Sequence, residues 1–180
     1  MVNKKKLKIE LNILKINKMR YLNITFPDVN NGLGCRVSLW VSGCTHHCKY
    51  CHNKNSWNFE NGKIFNKDAE LKLFNYTSLE YIKGITLTGG DPLDSYEDII
   101  KLLYNFREKF GNKKDVWLYT GYYMSDIKEK FSKILELVDY IVDGPFEIDK
   151  KDTTLPFRGS SNQHIYKKLE NNNFECITNI

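Results

Sequence analysis

Three closely spaced cysteines place the strongest constraint on how this chain can fold. Cys44, Cys48 and Cys51 form a C-x-x-x-C-x-x-C motif directly after an apolar, strand-like segment at residues 36–41. This spacing brings three thiolates to a common point, and thiolates select iron–sulfur clusters, zinc or copper(I). A cubane cluster normally takes four cysteines, so three of them leave one iron without a protein ligand. The motif therefore predicts a metal centre with an open position, as in catalytic metal sites.

A structural zinc site is the alternative that the same residues leave open. Zinc accepts cysteine and histidine ligands at short spacings, and His46, His47 and His52 lie within or beside the motif. Under this hypothesis the loop would stabilise a binding module and would catalyse no reaction. The motifs later in the chain favour the cluster over zinc.

Length and charge set broad limits on the class of protein. The 180 residues suffice for one domain that buries roughly 70% of the surface exposed by the unfolded chain. The formal charge is +5, but lysines are spread along the sequence and interleaved with Asp and Glu. Nucleic-acid binding needs a concentrated basic face, so we expect no nucleic-acid partner.

The cysteine count and the N-terminal segment predict a cytoplasmic protein. The five cysteines are an odd number in a chain that shows no secretory leader, which favours reduced thiols and a metal over disulfides. Cys35 and Cys176 have no cysteine partner at ligand spacing and are predicted to be buried or idle thiols. Residues 1–18 are basic and alternate apolar with polar side chains, so they fit neither a signal peptide nor a membrane span. We expect them to form an extra edge strand or a disordered arm, followed by one domain over residues 19–180.

Short apolar strands alternate with amphipathic helices along the rest of the chain. The predicted strands are residues 36–41, 85–88, 116–120 and 140–142, with a further alternating segment at residues 21–26. The predicted helices are Lys67 to about Ile82, residues 96–110 with Asp94 and Glu97 in capping-box spacing, a helix capped by Ser125, and a short helix containing Ile165 and Leu169. This order predicts βα units, and hence an α/β fold with a small, open, mostly parallel sheet.

A Gly89-Gly90 turn follows the second predicted strand, as the cysteine loop follows the first. Ligands of parallel sheets bind at the carboxyl ends of the strands, so we expect both segments on one rim. Glycines allow a ligand to approach the main chain closely, although such turns are also common in ordinary loops. Asp91, the next residue, is expected either to attract a cationic group or to cap the following helix.

The combination of these motifs, in this order, resembles the radical S-adenosylmethionine enzymes. Within that superfamily, the segment from about Met19 to Gln163 is similar to the activating proteins of anaerobic ribonucleoside-triphosphate reductase. The residues that carry the resemblance are Asn31-Gly32-x-Gly34-x-Arg36, Val41-Ser42-Gly43-Cys44, Cys51-His52-Asn53-Lys54 with Trp57, Gly89-Gly90-Asp91-Pro92-Leu93, Thr120-Gly121-Tyr122, Val142-Asp143-Gly144 and Arg158-Gly159-Ser160-Ser161-Asn162-Gln163. The wider superfamily usually has Glu where this chain has Asp91.

The resemblance implies a fold, cofactors and a set of site residues. The fold would be a small, open partial (β/α) barrel of the radical S-adenosylmethionine type. Cys44, Cys48 and Cys51 would bind a [4Fe-4S] cluster, and the open iron would chelate the methionine part of S-adenosylmethionine. Cleavage of this cofactor would yield a 5′-deoxyadenosyl radical that takes hydrogen from a glycine. The residues implied in cofactor binding are Tyr50, Cys51, His52, Gly89, Gly90 and Asp91, with no catalytic residue beyond the cluster ligands.

The resemblance also implies partners. These are the glycyl radical domain of the large reductase subunit and a flavodoxin-type electron donor, with no membrane. Activation of another glycyl radical enzyme, such as pyruvate formate-lyase, is the related alternative. The short chain and its single cysteine cluster favour the reductase. The loop at residues 158–163 is expected to meet the adenosyl group or the partner, or else to be an ordinary turn.

Overall fold

One eight-stranded sheet organises the protein in a computed structural model, of which residues 19–177 are described. The predicted edge strand or arm at residues 1–18 lies outside these residues. The strands are β1 (Arg20–Asp28), β2 (Arg36–Val41), β3 (Lys63–Ile64), β4 (Gly84–Gly89), β5 (Asp115–Tyr119), β6 (Tyr140–Asp143), β7 (His164–Lys168) and β8 (Phe174–Ile177). Their order in the sheet is β3-β1-β2-β4-β5-β6-β7-β8. The order is linear, so the sheet is open, as predicted.

The prediction of a mostly parallel sheet holds only for its centre. The pairs β2–β4, β4–β5 and β5–β6 are parallel, and they join four of the strands predicted from the sequence. The other four pairings, which involve β1, β3, β7 and β8, are antiparallel. A parallel pair needs a long crossover, usually a helix, and helices follow β3, β4 and β5. No α-helix separates β6, β7 and β8, so the chain reverses direction there.

The helices cover one face of the sheet. They are α1 (Lys67–Thr77), α2 (Tyr96–Phe110), α3 (Met124–Lys130) and α4 (Ile134–Leu137). Buried residues of all four helices join the larger apolar core with alternate strand residues such as Leu39, Leu87 and Leu118. Since successive strand residues point to opposite faces, Trp117 and Val142 lie on the other face, in a second core cluster of strand residues. Within residues 19–177, no helix residue belongs to this second cluster, so that face is available for a binding site.

The two long helices were predicted with different accuracy. In α2 the predicted core residues Ile99, Leu103 and Phe106 are fully buried, and the helix ends at Phe110, directly before Gly111, as expected. The capping box predicted for Asp94 and Glu97 was wrong, because the N-cap residue of α2 is Ser95, whose side chain makes no capping hydrogen bond. α1 begins at Lys67 as predicted but ends at Thr77, and Leu71 and Tyr81, which were expected on its core face, are exposed.

Two further predictions near the C-terminal end were wrong. The helix expected to be capped by Ser125 begins at Met124 and is divided into α3 and α4. The helix expected around Ile165 and Leu169 is the strand β7, whose Ile165 pairs with Val142 on one side and with Ile177 on the other. Two apolar residues that lie four positions apart fit a helix as well as a short strand. Here the segment is a strand because it pairs with the edge of β6. Among residues 19–177, no helix has the length and apolar character needed to cross a membrane.

Candidate functional site

The candidate site lies at the carboxyl ends of the four parallel strands. The cysteine loop follows β2, the Gly89-Gly90 turn follows β4, and the turns after β5 and β6 lie beside them. Gly90 N–H donates to the Val41 carbonyl at 2.8 Å, and Asp91 N–H donates to the Gly43 carbonyl at 2.8 Å. The structure therefore places the two predicted segments side by side on one rim.

The three cysteines of the motif line one cavity. Cys44, Cys48 and Cys51 are half-buried free thiols, and they share a cavity of about 120 Å³ with Gly89, Gly90 and Asp91. Three thiols on one wall, beside exposed main chain, are a donor set that fits an iron–sulfur cluster. Within residues 19–177, no three His, Cys, Asp or Glu side chains converge on a single ion. A cluster does not require such convergence, because each thiolate binds a different iron.

Electrostatics around the cysteines favour a bound cation. Burial is the largest cause that raises the pKa of the Cys44 thiol to about 11, and the charges of Asp91 and Asp94 act in the same direction. Burial also raises the pKa of Cys48. Thiolates bind metals and thiols do not, so these cysteines need a nearby positive charge to ionise at neutral pH. A metal supplies that charge and deprotonates the thiols that coordinate it.

The cysteine loop is held mainly by bonds to other segments. Gly43 N–H donates to the Ser56 carbonyl at 2.7 Å, and Cys44 N–H donates to the Trp57 carbonyl at 3.2 Å. Inside the loop, Cys51 N–H donates to the Cys48 carbonyl at 3.0 Å. His47 and Tyr50 have positive φ angles of 48° and 59°, which are unfavourable for residues other than glycine. Contacts outside the loop must therefore maintain its shape.

Asp91 is buried and fully engaged in hydrogen bonds. Its carboxylate accepts from the Leu93 N–H at 2.9 Å, as a cap of the short 3₁₀ turn Pro92–Ser95. It also accepts from the Thr120 hydroxyl and from the Gly121 N–H, and it bonds the His46 ring at 2.8 Å. The bond to Asp91 is the main cause that raises the pKa of His46. The capping role expected for Asp91 is present, in the 3₁₀ turn that precedes α2, and its attraction of a cationic group stays a prediction.

Gly89 and Gly90 are required by the packing of the chain itself. A Cβ at Gly90 would collide with the Gly43 carbonyl oxygen, and one at Gly89 would lie 2.6 Å from Val41 N. Gly89 also has a φ of 109°, which side chains rarely adopt. The two glycines thus allow the turn after β4 to pack directly on the start of the cysteine loop, and both line the cysteine cavity.

The predicted cofactor-binding residues divide between two cavities. Cys51, Gly89, Gly90 and Asp91 line the cysteine cavity. Tyr50 and His52 are exposed and line a second cavity of about 700 Å³, on the face of the sheet opposite the large core. The two cavities are adjacent, because both are lined by Tyr119, Phe146 and Gln163.

Several site residues were not singled out from the sequence. Tyr119 and Phe146 had no assigned role, and Asp94 was assigned only to a capping box. Each of them follows or ends a strand of the parallel set, which is the available signal. Gln163 belongs to the predicted loop at residues 158–163. Its side chain accepts from the Gly159 and Ser160 N–H groups and donates to the Gly144 carbonyl. This loop therefore forms part of the wall of both cavities.

Comparisons with known proteins agree with this geometry. Residues 30–166 match the family described as a 4Fe-4S single cluster domain. The chain is 41% identical over 154 residues to a protein of Enterobacteria phage T4, with 84% of this chain and 96% of the relative covered. It is 40% identical over 152 residues to a protein of Escherichia coli K12, covering 82% and 98%. A protein of Vibrio cholerae is 35% identical over 144 residues, covering 78% and 92%. All three relatives carry the name anaerobic ribonucleoside-triphosphate reductase-activating protein.

Proposed function

Because the chain belongs to the family of anaerobic ribonucleoside-triphosphate reductase-activating proteins, we propose that it activates such a reductase by forming a glycyl radical on its large subunit. The observation that carries the proposal is the set of three free cysteines on one cavity, beside the Gly89-Gly90 turn. When bound there, a reduced [4Fe-4S] cluster and S-adenosylmethionine supply the reductive cleavage that yields a 5′-deoxyadenosyl radical. The chain's own task is to hold the cofactors, to orient them and to limit access of water.

Cys44, Cys48 and Cys51 would hold the cluster. They supply one sulfur fewer than a closed cubane site needs, so one iron stays available to the amino and carboxylate groups of S-adenosylmethionine. A zinc site is less well supported, because His46 is bonded to Asp91 and His52 lies on the second cavity. The match to a 4Fe-4S family also supports the cluster.

The residues around the two cavities would hold S-adenosylmethionine. We assign the methionine part to the cysteine cavity, next to Cys51, Gly89 and Gly90, and the adenosyl part to the second cavity, next to Tyr50 and His52. Asp91 contributes its main chain there and uses its carboxylate to hold the rim together. The second cavity is large enough for a nucleoside and is lined by both aromatic and polar side chains.

The remaining parts of the proposal concern the domain and its surroundings. We propose that residues 19–180 form a single domain of the radical S-adenosylmethionine type, with the helix-covered parallel strands as a partial (β/α) barrel. The partner is the glycyl radical domain of the reductase, and a flavodoxin-type protein supplies electrons in the cytoplasm. Neither a membrane nor a nucleic acid takes part.

Electron paramagnetic resonance tests this function. The reconstituted chain is mixed without oxygen with the large reductase subunit, a reductant and S-adenosylmethionine. We expect a glycine-centred doublet, which the Cys48→Ala variant fails to produce. A parallel reaction contains pyruvate formate-lyase in place of the reductase. A doublet only on pyruvate formate-lyase, or on neither protein, would overturn the proposed function.

A further inference from the structure

We propose that Asp91 and Asp94 form a two-carboxylate clasp that positions the cysteine loop for cluster binding. The inference concerns residues that hold the cluster ligands in place, and it rests on the proposed function for the identity of the metal group. The clasp joins three segments of the rim, which are Thr45 and His46 in the cysteine loop, the turn after β4, and the turn at residues 120–122 after β5.

Asp94 forms one half of the clasp. Its carboxylate accepts from the Thr45 N–H at 2.7 Å and from the Thr45 hydroxyl at 3.0 and 3.1 Å. It also accepts from the Tyr122 hydroxyl at 2.9 Å. One side chain therefore ties the residue after Cys44 to the turn after β5. Asp94 makes these bonds in place of the helix-capping role that its spacing suggested.

Asp91 forms the other half and bonds the same two segments. His46 lies on the cysteine-loop side at 2.8 Å, and Gly121 N–H lies on the β5 side at 2.8 Å. The Tyr122 ring packs edge-on against the His46 ring, with centroids 4.5 Å apart. A Cβ at Gly121 would lie 2.5 Å from the His46 ring, so the turn after β5 fits closely against the loop.

The cysteine loop needs this support because its own backbone provides little. Between Cys44 and Cys48, the loop is fixed by the bonds of Thr45 and His46 to the two carboxylates, and His47 has a positive φ of 48°. Charged acceptors form the stronger class of hydrogen bonds, about twice the strength of neutral ones. The clasp therefore holds Cys44 and Cys48 in place before any iron arrives, which lowers the entropic cost of binding the cluster.

The test uses variants of Asp94, because Asp91 is buried and also caps a turn. Asp94→Ala removes one of the two carboxylates of the clasp. Asp94→Asn keeps the size of the side chain and one of its two acceptor oxygens. Asp68→Asn, in the exposed first turn of α1, is the matched control. Each full-length variant is reconstituted anaerobically, and the rate at which iron passes to the chelator bathophenanthroline disulfonate is measured. The melting temperature of each iron-free protein is recorded alongside.

We expect Asp94→Ala to lose iron about tenfold faster than the unaltered chain, as is usual when groups supporting metal ligands are removed. Asp94→Asn should recover part of the lifetime, and Asp68→Asn should match the unaltered chain. The iron-free variants should melt within a few degrees of the unaltered protein. Iron loss at the unaltered rate in Asp94→Ala would overturn the clasp, as would no recovery in Asp94→Asn or an iron-free Asp94→Ala protein that is already unfolded. Failure of the unaltered chain to form a glycyl radical would refute only the proposed function.

Discussion

Single side chains at the rim show which site residues could be predicted from the sequence. Cys44, Cys48 and Cys51 were recognisable because three thiols at short, fixed spacing carry their chemistry locally. Asp94 was not recognisable, because its partner Thr45 is 49 residues away in the chain. Asp91 was predicted as a site residue, but its bonds to His46 and Thr120 were not, since they span 45 and 29 residues.

Replacement of the cysteines separates cluster ligands from other thiols. Each of Cys44→Ala, Cys48→Ala and Cys51→Ala should abolish cleavage of S-adenosylmethionine while the protein stays folded, because each removes one iron ligand. Cys35→Ala and Cys176→Ala serve as controls and should keep the iron content of the unaltered chain. Iron analysis and detection of 5′-deoxyadenosine check both statements. Normal cleavage by any of the first three variants would remove that residue from the ligand set.

Gly90→Ala should damage the cysteine loop. The new methyl group would collide with the Gly43 carbonyl oxygen, so the variant should lose about 2 kcal/mol in free energy of unfolding. It should also bind less iron, because Gly43 directly precedes Cys44. Gly111→Ala is a suitable control, since its positive φ of 55° strains any side chain but a Cβ there has no neighbour within 4 Å. This control should be destabilised by a similar amount and keep its iron, and equal iron content in both variants would contradict the explanation.

At the level of strands and helices, strong periodicity was a better guide than short patterns. α2 was predicted correctly because its apolar residues recur over fifteen positions. β7 has five residues and was mistaken for a helix, because its identity depends on pairing with β6 and β8. The two-residue β3 has no sequence signal and exists through its pairing with β1.

Arg36 links several of these elements and is expected to stabilise the fold. Its guanidinium is fully buried, donates to the Thr86 hydroxyl and to the Leu33 and Ile85 carbonyls, and pairs with Asp115 at 2.5 Å. Arg36→Leu would leave these acceptors unpaired and should lower the free energy of unfolding by about 3 kcal/mol. Urea denaturation measures the change. Arg20→Leu, which loses one exposed bond to the Gly62 carbonyl, should cost about 1 kcal/mol. Equal losses in the two variants would refute this role for Arg36.

For the molecule as a whole, the sequence predicted the α/β class and the shared rim but missed three of the eight strands, β3, β7 and β8. The parallel centre was predictable because each of its strands is a short apolar run near an amphipathic helix. β3, β7 and β8 were not, since strands towards the edges of the sheet carry fewer buried residues and weaker patterns. The candidate site was largely predictable because it occupies the central strands.

A variant that lacks residues 1–18 should retain iron, cofactor cleavage and melting temperature. The described sheet begins with β1 at Arg20, and the preceding residue, Met19, is buried with its backbone nitrogen bonded to Asp98 at 2.7 Å. The alignments with relatives cover 96–98% of the relatives' own length but only 82–84% of this chain. Thermal unfolding and iron analysis of the shortened protein check this. A large fall in either quantity would show that the segment contributes to the domain.

The central claim is that three sulfur ligands leave one iron of a cluster available to S-adenosylmethionine. It is tested most directly by the electron paramagnetic resonance spectrum of the reduced, anaerobically reconstituted chain, recorded before and after S-adenosylmethionine is added. We predict about four irons per chain and a spectrum that changes when S-adenosylmethionine binds, because the added molecule completes the coordination of one iron. A spectrum that stays the same at saturating S-adenosylmethionine, or a colourless protein that binds zinc instead of iron, would contradict the claim.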